Sequence, residues 1–208
     1  MQRKRIGIVI FDQVEVLDFC GPFEVFSVTR LDENSRVSDA SPFDVVLVAP
    51  SLQTVVCTGG MRVLPDYSFD TCPDLDLLII AGGMGTRREM NNPAMLDFVA
   101  QHAGQVDILA SVCTGALILG KTGLLDGLSA TTHWRALPLL QETFPAIEVI
   151  DHLHVVDHGK IMTSAGISAG IEMALYIVLR LYGEGIARNT ARYMEYPYPE
   201  HNQRRVQL

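Results

Sequence analysis

The segment Val106-Asp107-Ile108-Leu109-Ala110-Ser111-Val112-Cys113-Thr114-Gly115-Ala116-Leu117 ends an apolar run on a cysteine. It reads as a buried strand that meets a helix with Cys113 at the junction, the layout of a nucleophile elbow. A thiol at a helix start feels unpaired N–H groups, so its pKa is expected below the roughly 8.5 of free cysteine. The same N–H groups can stabilise an oxyanion. Gly115 and Ala116 are small enough for the sharp turn, and Gly82-Gly83, ending a neighbouring apolar run, can bring a second pair of N–H groups to the same crevice. On spacing alone Cys113 reads equally well as a buried structural cysteine beside a packing glycine.

An acid or base is needed next. Asp18 stands alone among apolar residues in Val16-Leu17-Asp18-Phe19-Cys20-Gly21-Pro22. A partly buried carboxylate keeps its proton to higher pH and can donate it to a thiolate. Asp also serves as a helix N-cap, and that reading stands beside the first. Cys20 reads as core.

Two phosphate-binding patterns fail on physical grounds. Gly115-Ala116-Leu117-Ile118-Leu119-Gly120-Lys121-Thr122 has Walker A spacing, but a P-loop needs flexible residues between its glycines and a helix starting at the lysine. Ala-Leu-Ile-Leu are helix formers, and Gly123 ends a helix where a P-loop helix should begin. Gly82-Gly83-Met84-Gly85 follows a strand, yet Arg88 occupies the place of a third dinucleotide-binding glycine. His152, His154 and His158 offer a metal alternative, since the first two share a face of an extended segment, but no cysteine or carboxylate is clearly poised beside them. No metal and no organic cofactor is expected.

The elements that must position these residues follow from periodicity. Unalternated apolar runs at Ile6–Phe11, Val45–Ala49, Leu75–Ala81, Val106–Val112 and, less purely, Ile147–Ile150 suit strands buried on both faces. Phe19–Thr29, Pro93–Ala103, the segment after Cys113 and Ser168–Tyr182 carry helical spacing. Such alternation predicts an α/β fold, a three-layer α/β/α sandwich with a mostly parallel central sheet. Asp32–Pro42 is loop-like, and Val155–Thr163 reads as a hairpin turning at Asp157-His158-Gly159-Lys160. After Arg192 the apolar period stops, which predicts one domain over residues 1–192 and a tail over 193–208 that packs on a neighbour or is mobile.

Composition bounds the rest. The 208 residues suit one large α/β domain, given roughly 150 residues for an average domain. At 48% hydrophobic and 19% charged, the chain is not intrinsically disordered. Sixteen basic against 24 acidic residues give −8, which disfavours a nucleic-acid partner. No apolar run reaches the roughly 18 to 20 residues of a bilayer span. The apolar stretch after the basic Met1 to Arg5 stops at Asp12, too soon for a signal peptide, so a cytoplasmic protein is expected. Cys20, Cys57, Cys72 and Cys113 are irregularly spaced and read as reduced thiols.

Four blocks, Leu17–Phe26, Ile79–Gly83, Ser111–Ala116 and Ala130–Trp134, together resemble the ThiJ/PfpI superfamily within the class I glutamine amidotransferase-like fold, over nearly the whole chain. Cys113-Thr114 and Ala130–Trp134 look most like the isonitrile hydratases and the ligand-binding domains of some AraC-type regulators. The resemblance implies that Cys113 is the reactive cysteine, that Asp18 is the acid bonded to its sulfur, and that Thr114 helps hold the thiolate. It also implies oxyanion or substrate contacts at Gly82 and Gly83, with Thr114 as a donor, Ile167 near the pocket wall, and a homodimer. His133 either approaches the site or is a satisfied core histidine. Thr114 stands where the protease-like branch has histidine, which weakens a Cys-His peptidase reading. The expected activity is hydration of a small isonitrile to an N-substituted formamide. A non-catalytic ligand or redox sensor is the alternative, as is amidase, peptidase or glyoxalase-like chemistry on another small electrophile. The chain ends too soon after the resembling region for a helix-turn-helix pair, so no direct DNA binding is expected.

Overall fold

A computed structural model describes residues 3–204, the Ser35 side chain excepted. Strand β1 (Lys4–Val9) starts ahead of its apolar run, where Lys4 Nζ lies 3.1 Å from Asp107 Oδ2 and Arg5 Nε 3.1 Å from Asp44 Oδ2. The chain continues through α1 (Val16–Val28), β2 (Phe43–Ala49), the two-residue strands β3 (Val55–Val56), β4 (Arg62–Val63) and β5 (Tyr67–Ser68), and then β6 (Leu77–Ile80), α2 (Thr86–Glu89) and α3 (Pro93–Ala103). Next come β7 (Ile108–Val112), α4 (Gly115–Lys121), β8 (Ser129–Ala130), α5 (Leu137–Thr143), β9 (Glu148–Val149), β10 (Val155–Asp157), β11 (Ile161–Ser164), α6 (Ala169–Tyr182) and α7 (Glu184–Tyr193).

Seven strands form the central sheet in the order β10-β11-β7-β6-β1-β2-β5, parallel except where β10 meets β11. The predicted hairpin is therefore the outer part of this sheet, with its turn at His158–Lys160. β6 and β7 are buried along their whole length, as unalternated runs require. Helices α1, α6 and α7 pack together as one group, while α2, α3 and α5 pack on α4 as another. Each group covers apolar sheet surface, giving the mostly parallel α/β architecture expected from the pattern.

Local chemistry explains the element ends. Pro93 opens α3 and the Asn92 side chain accepts from the Ala94 amide at 3.1 Å, a capped N-terminus whose limits match the predicted helix. Gly183, at φ 87°, stops α6. The Walker-like segment is the buried helix α4, with both its glycines inside helical backbone. Ile147–Ile150 departs from expectation: it contributes β9 to a separate parallel pair with β8, because only Ile147 is fully buried there and Glu148 faces water.

The predicted tail folds back on its own chain as far as it is described. Leu153 bridges Gln203, and the Asn202 side chain both accepts from the Val155 amide at 2.8 Å and donates to the Val155 carbonyl at 2.7 Å. Residues 205–208 of that tail, like residues 1–2, lie outside the described residues. Among the described residues no helix is long and apolar enough to cross a membrane.

Candidate active site

The carboxyl ends of β1, β6 and β7 meet where the strand order reverses around β1, the place at which open α/β sheets bind ligands. β7 ends at Val112 and α4 begins at Gly115, and between them Cys113 adopts φ 55°. That left-handed conformation costs an L residue roughly 1–2 kcal/mol and persists only where neighbours over-determine it. Here the Cys113 amide donates to the Ser164 and Ala165 carbonyls, both at 3.2 Å, and its carbonyl accepts from Thr132 Oγ1 at 2.7 Å. The elbow is therefore clamped on both sides, and its side chain is 5% exposed.

Asp18 comes from the first turn of α1. Glu15, not Asp18, occupies the cap position, so the N-cap reading of Asp18 does not hold. The loop before α1 is fastened to the loop after β6: Val14 bridges Gly83, and the Glu15 amide donates to the Gly82 carbonyl at 2.9 Å. Asp18 is fully buried, its Oδ2 accepting from the Gly82 amide at 3.0 Å. Its Oδ1 has no partner of ordinary hydrogen-bond geometry among the described residues, and the Cys113 thiol is the side chain that interacts with the carboxyl. A Cβ on Gly82 would stand 2.6 Å from the Thr114 amide nitrogen, 2.7 Å from Asp18 Oδ2 and 2.9 Å from Cys113 Cβ. Only a hydrogen leaves room for the three segments to meet.

Burial dominates the electrostatics. It raises the Asp18 carboxyl from its ordinary 3.8 to about 7, against the pull of the Cys113 thiol and the Gly82 amide. Burial, then the Asp18 charge, pushes the Cys113 thiol well above the usual thiol range, while the Thr114 and Ile167 amides act the other way. The expected depression of the thiol is thus overturned: α4 has seven residues, and withdrawal from water outweighs its few N–H groups. Asp18 and Cys113 titrate as a pair, and the first proton lost near neutrality leaves one proton between carboxylate and sulfur.

The remaining expected residues fall into two shells. The Gly82 amide is engaged by Asp18, and the Gly83 amide donates to Thr114 Oγ1 at 2.9 Å, so neither is free for an oxyanion in this conformation. The amides that face the sulfur are those of Thr114 and Ile167. Ile167 is itself left-handed at φ 57°, uncommon for a β-branched residue, and so marks a constrained site. His133 lies one layer out, its ring packed so closely on Gly166 that a Cβ there would be 2.1 Å from His133 Cδ2. Its Nδ1 accepts from the Arg135 amide at 3.3 Å, and burial, then Arg204, Arg135 and Arg87, lower its pKa.

Sequence reasoning assigned no role to Thr132 or Arg204. Thr132 lies in the Ala130–Trp134 block, and its hydroxyl holds the Cys113 carbonyl. Arg204 carries no periodic signal, yet its Nη2 donates to Thr131 Oγ1 at 3.0 Å and to the Thr132 carbonyl at 3.1 Å. The three histidines of the metal alternative go separate ways: His152 is exposed beside Asp151, His154 is buried against Glu172 at 2.8 Å, and His158 contacts Ser129. All four cysteines are unbridged. A cavity of about 540 Å³, lined in part by Glu172, Tyr176 and Tyr198, lies beside β10, and Cys113 is not in its wall.

A model of the DJ-1/PfpI family matches residues 4–180. The chain is 37% identical over 192 residues to an isonitrile hydratase of Pseudomonas putida, covering 92% of this chain and 78% of that protein. It is 32% identical over 133 residues to the HTH-type transcriptional regulator GbdR of Pseudomonas aeruginosa (strain UCBPP-PA14), covering 64% of this chain but 36% of the regulator. The crystal structure of a THiJ/PfpI family protein from Pseudomonas syringae is similar with a TM-score of 0.83 at 31% identity, covering 97% of this chain and 79% of that one.

Proposed function

The chain belongs to the DJ-1/PfpI family, and from that premise we propose that it is a cysteine-dependent hydratase that adds water to a small isonitrile to give an N-substituted formamide. The observation that carries the reading is one buried carboxyl facing one buried thiol, with the Ile167 amide acting on both. The 37% identity to an isonitrile hydratase points the same way.

The chemistry follows from that pair. The Asp18 carboxylate takes the thiol proton as sulfur attacks the terminal isonitrile carbon, and returns it to that carbon, leaving a thioimidate on Cys113. Water then adds to the C=N carbon, Asp18 accepting a proton from it and passing that same proton to the nitrogen, which leaves the carboxylate free again. The C–S bond breaks as the new hydroxyl becomes the formyl carbonyl, its proton passes through Asp18 back to sulfur, and the formamide leaves. The Thr114 and Ile167 amides stabilise charge on sulfur, and Gly82, Gly83 and His133 shape the surrounding pocket. The mechanism uses no cofactor and no metal, and the working unit is a homodimer of one-domain chains.

Absorbance-monitored turnover of a nitro-substituted aryl isonitrile by wild type and Cys113→Ala, with formamide identified by mass spectrometry, tests this reading. Cysteine-dependent turnover is expected. Turnover retained in the variant, or absent from wild type with a reduced Cys113, overturns it.

The match to GbdR, over about a third of that regulator, favours one other reading. On that reading the same pocket binds a small ligand without turning it over, or signals through oxidation of Cys113. Saturable thermal stabilisation by an isonitrile that is not consumed distinguishes the two.

A further inference from the structure

Three guanidinium groups gather beside the elbow. Arg135 is exposed, and its guanidinium carbon lies 4.8 Å from the centroid of the Trp134 ring, which is itself 44% exposed. Arg87, also exposed, follows the Gly82-Gly83 loop and donates from Nη1 to the Gly83 carbonyl at 3.3 Å and to Thr86 Oγ1 at 3.2 Å. Arg204 arrives from the C-terminal segment, bonded to Thr131 and Thr132, with its Nε buried and without a partner among the described residues. All three act on His133, whose ring packs on Gly166, next to Ile167. Among the described residues none of the three forms an ion pair, whereas the neighbouring Arg88 pairs with Glu89 at 2.8 Å. Asp151 is the carboxylate that acts on Arg204.

In a chain of net charge −8, these three arginines bring positive charge to the His133 side of the elbow, where the nearby carboxylates are Glu15, which acts on Asp18, and Asp151, which acts on Arg204. Clustered charge of one sign concentrates ligands of the opposite sign, and arginine is suited to planar carboxylates. Trp134, beneath the Arg135 guanidinium, adds an exposed flat apolar face.

We infer that this cluster selects small electrophiles that carry a carboxylate, with Arg135 and Arg87 meeting the carboxylate, Arg204 supplying fixed charge from behind, and Trp134 covering the hydrocarbon part. The inference rests on Cys113 as the reacting group and gives the proposed hydratase its substrate class.

Alkylation of Cys113 by iodoacetate and by iodoacetamide in the full chain at low ionic strength tests it without requiring hydratase turnover. The two reagents differ in charge and little in size, so the ratio of their rates cancels the reactivity of the thiol itself. Cys20, whose thiol is raised by burial alone, is the internal reference, read in the same sample by mass spectrometry. The iodoacetate to iodoacetamide ratio at Cys113 is expected to exceed that at Cys20 by about tenfold, to fall about fivefold in Arg135→Gln and again in Arg204→Gln, and to collapse in 0.5 M salt as roughly expected for screened charges. Equal ratios at the two cysteines, a ratio unmoved by Arg135→Gln, or a Cys113 that resists both reagents overturns the inference. Failure to turn over an isonitrile leaves this ratio untouched, so the two readings fail separately.

Discussion

Thr114 and Gly83 are joined twice, the Gly83 amide donating to Thr114 Oγ1 at 2.9 Å and the same hydroxyl donating to the Gly83 carbonyl at 3.1 Å. One side chain thus ties the loop after β6 to the elbow after β7. Thr114→Val would leave the buried Gly83 amide without an acceptor, at a cost of about 1–3 kcal/mol. Thr114→Ser keeps both bonds and should unfold in urea close to wild type. A valine variant with an unchanged midpoint would show that the loop is held by something else.

Stability should depend on pH through Asp18. Its folded pKa of about 7 lies above the ordinary 3.8, so the native state binds the proton more tightly than the unfolded chain. The stabilising contribution is full below about pH 4 and is lost as pH rises to about 7, with a total on the order of 4 kcal/mol. Asp18→Asn removes this dependence, and its thermal midpoint should gain on wild type across that interval and run parallel to it above. Parallel curves throughout would mean that Asp18 is not held in its acid form.

Catalysis should show the opposite trend. The reactive pair holds one proton between Asp18 and Cys113, a state that forms as pH rises through about 7. We expect kcat/KM to climb through that value and then level. Asp18→Asn should lower kcat by about 10²–10⁴ and erase the inflection. Cys113→Ala should abolish turnover with the circular dichroism spectrum retained. An Asp18→Asn enzyme within a few-fold of wild type would reduce the carboxyl to a structural group.

The C-terminal segment should be coupled to the sheet through Asn202. Both polar atoms of its side chain bond the Val155 backbone. Asn202→Ala should cost about 1–2 kcal/mol and speed hydrogen exchange at the Val155 amide. Exchange there as slow as in wild type would place the anchor elsewhere.

Much of the fold is written in apolar runs because strands buried on both faces leave no other pattern. Leu77–Ile80 and Ile108–Val112 sit inside their expected limits for that reason. The strands β3, β4, β5 and β8 have two residues each, too few to carry a period, and α5 was hidden behind its proline at 138. At the site, residue types pointed to Cys113 and Asp18 and apolar neighbours to a partly buried carboxyl, but the depth of burial at the thiol did not show. The thiol therefore moved opposite to expectation, since a short helix start cannot outweigh desolvation. Arg204 was out of reach for a different reason: its contacts with Thr131 and Thr132 span more than 70 positions and follow no local rule.

The same Asn202 contacts bear on how the molecule behaves in company. β10 is the last strand of the sheet on its side, and an outer strand with open backbone groups is a template on which another chain can add a strand and start an aggregate. Here an amide side chain occupies the N–H and C=O that Val155 would offer, and at the other margin β5 offers two residues. At one margin a side chain that mimics a peptide group thus occupies the backbone groups of Val155, and at the other brevity leaves little to pair with.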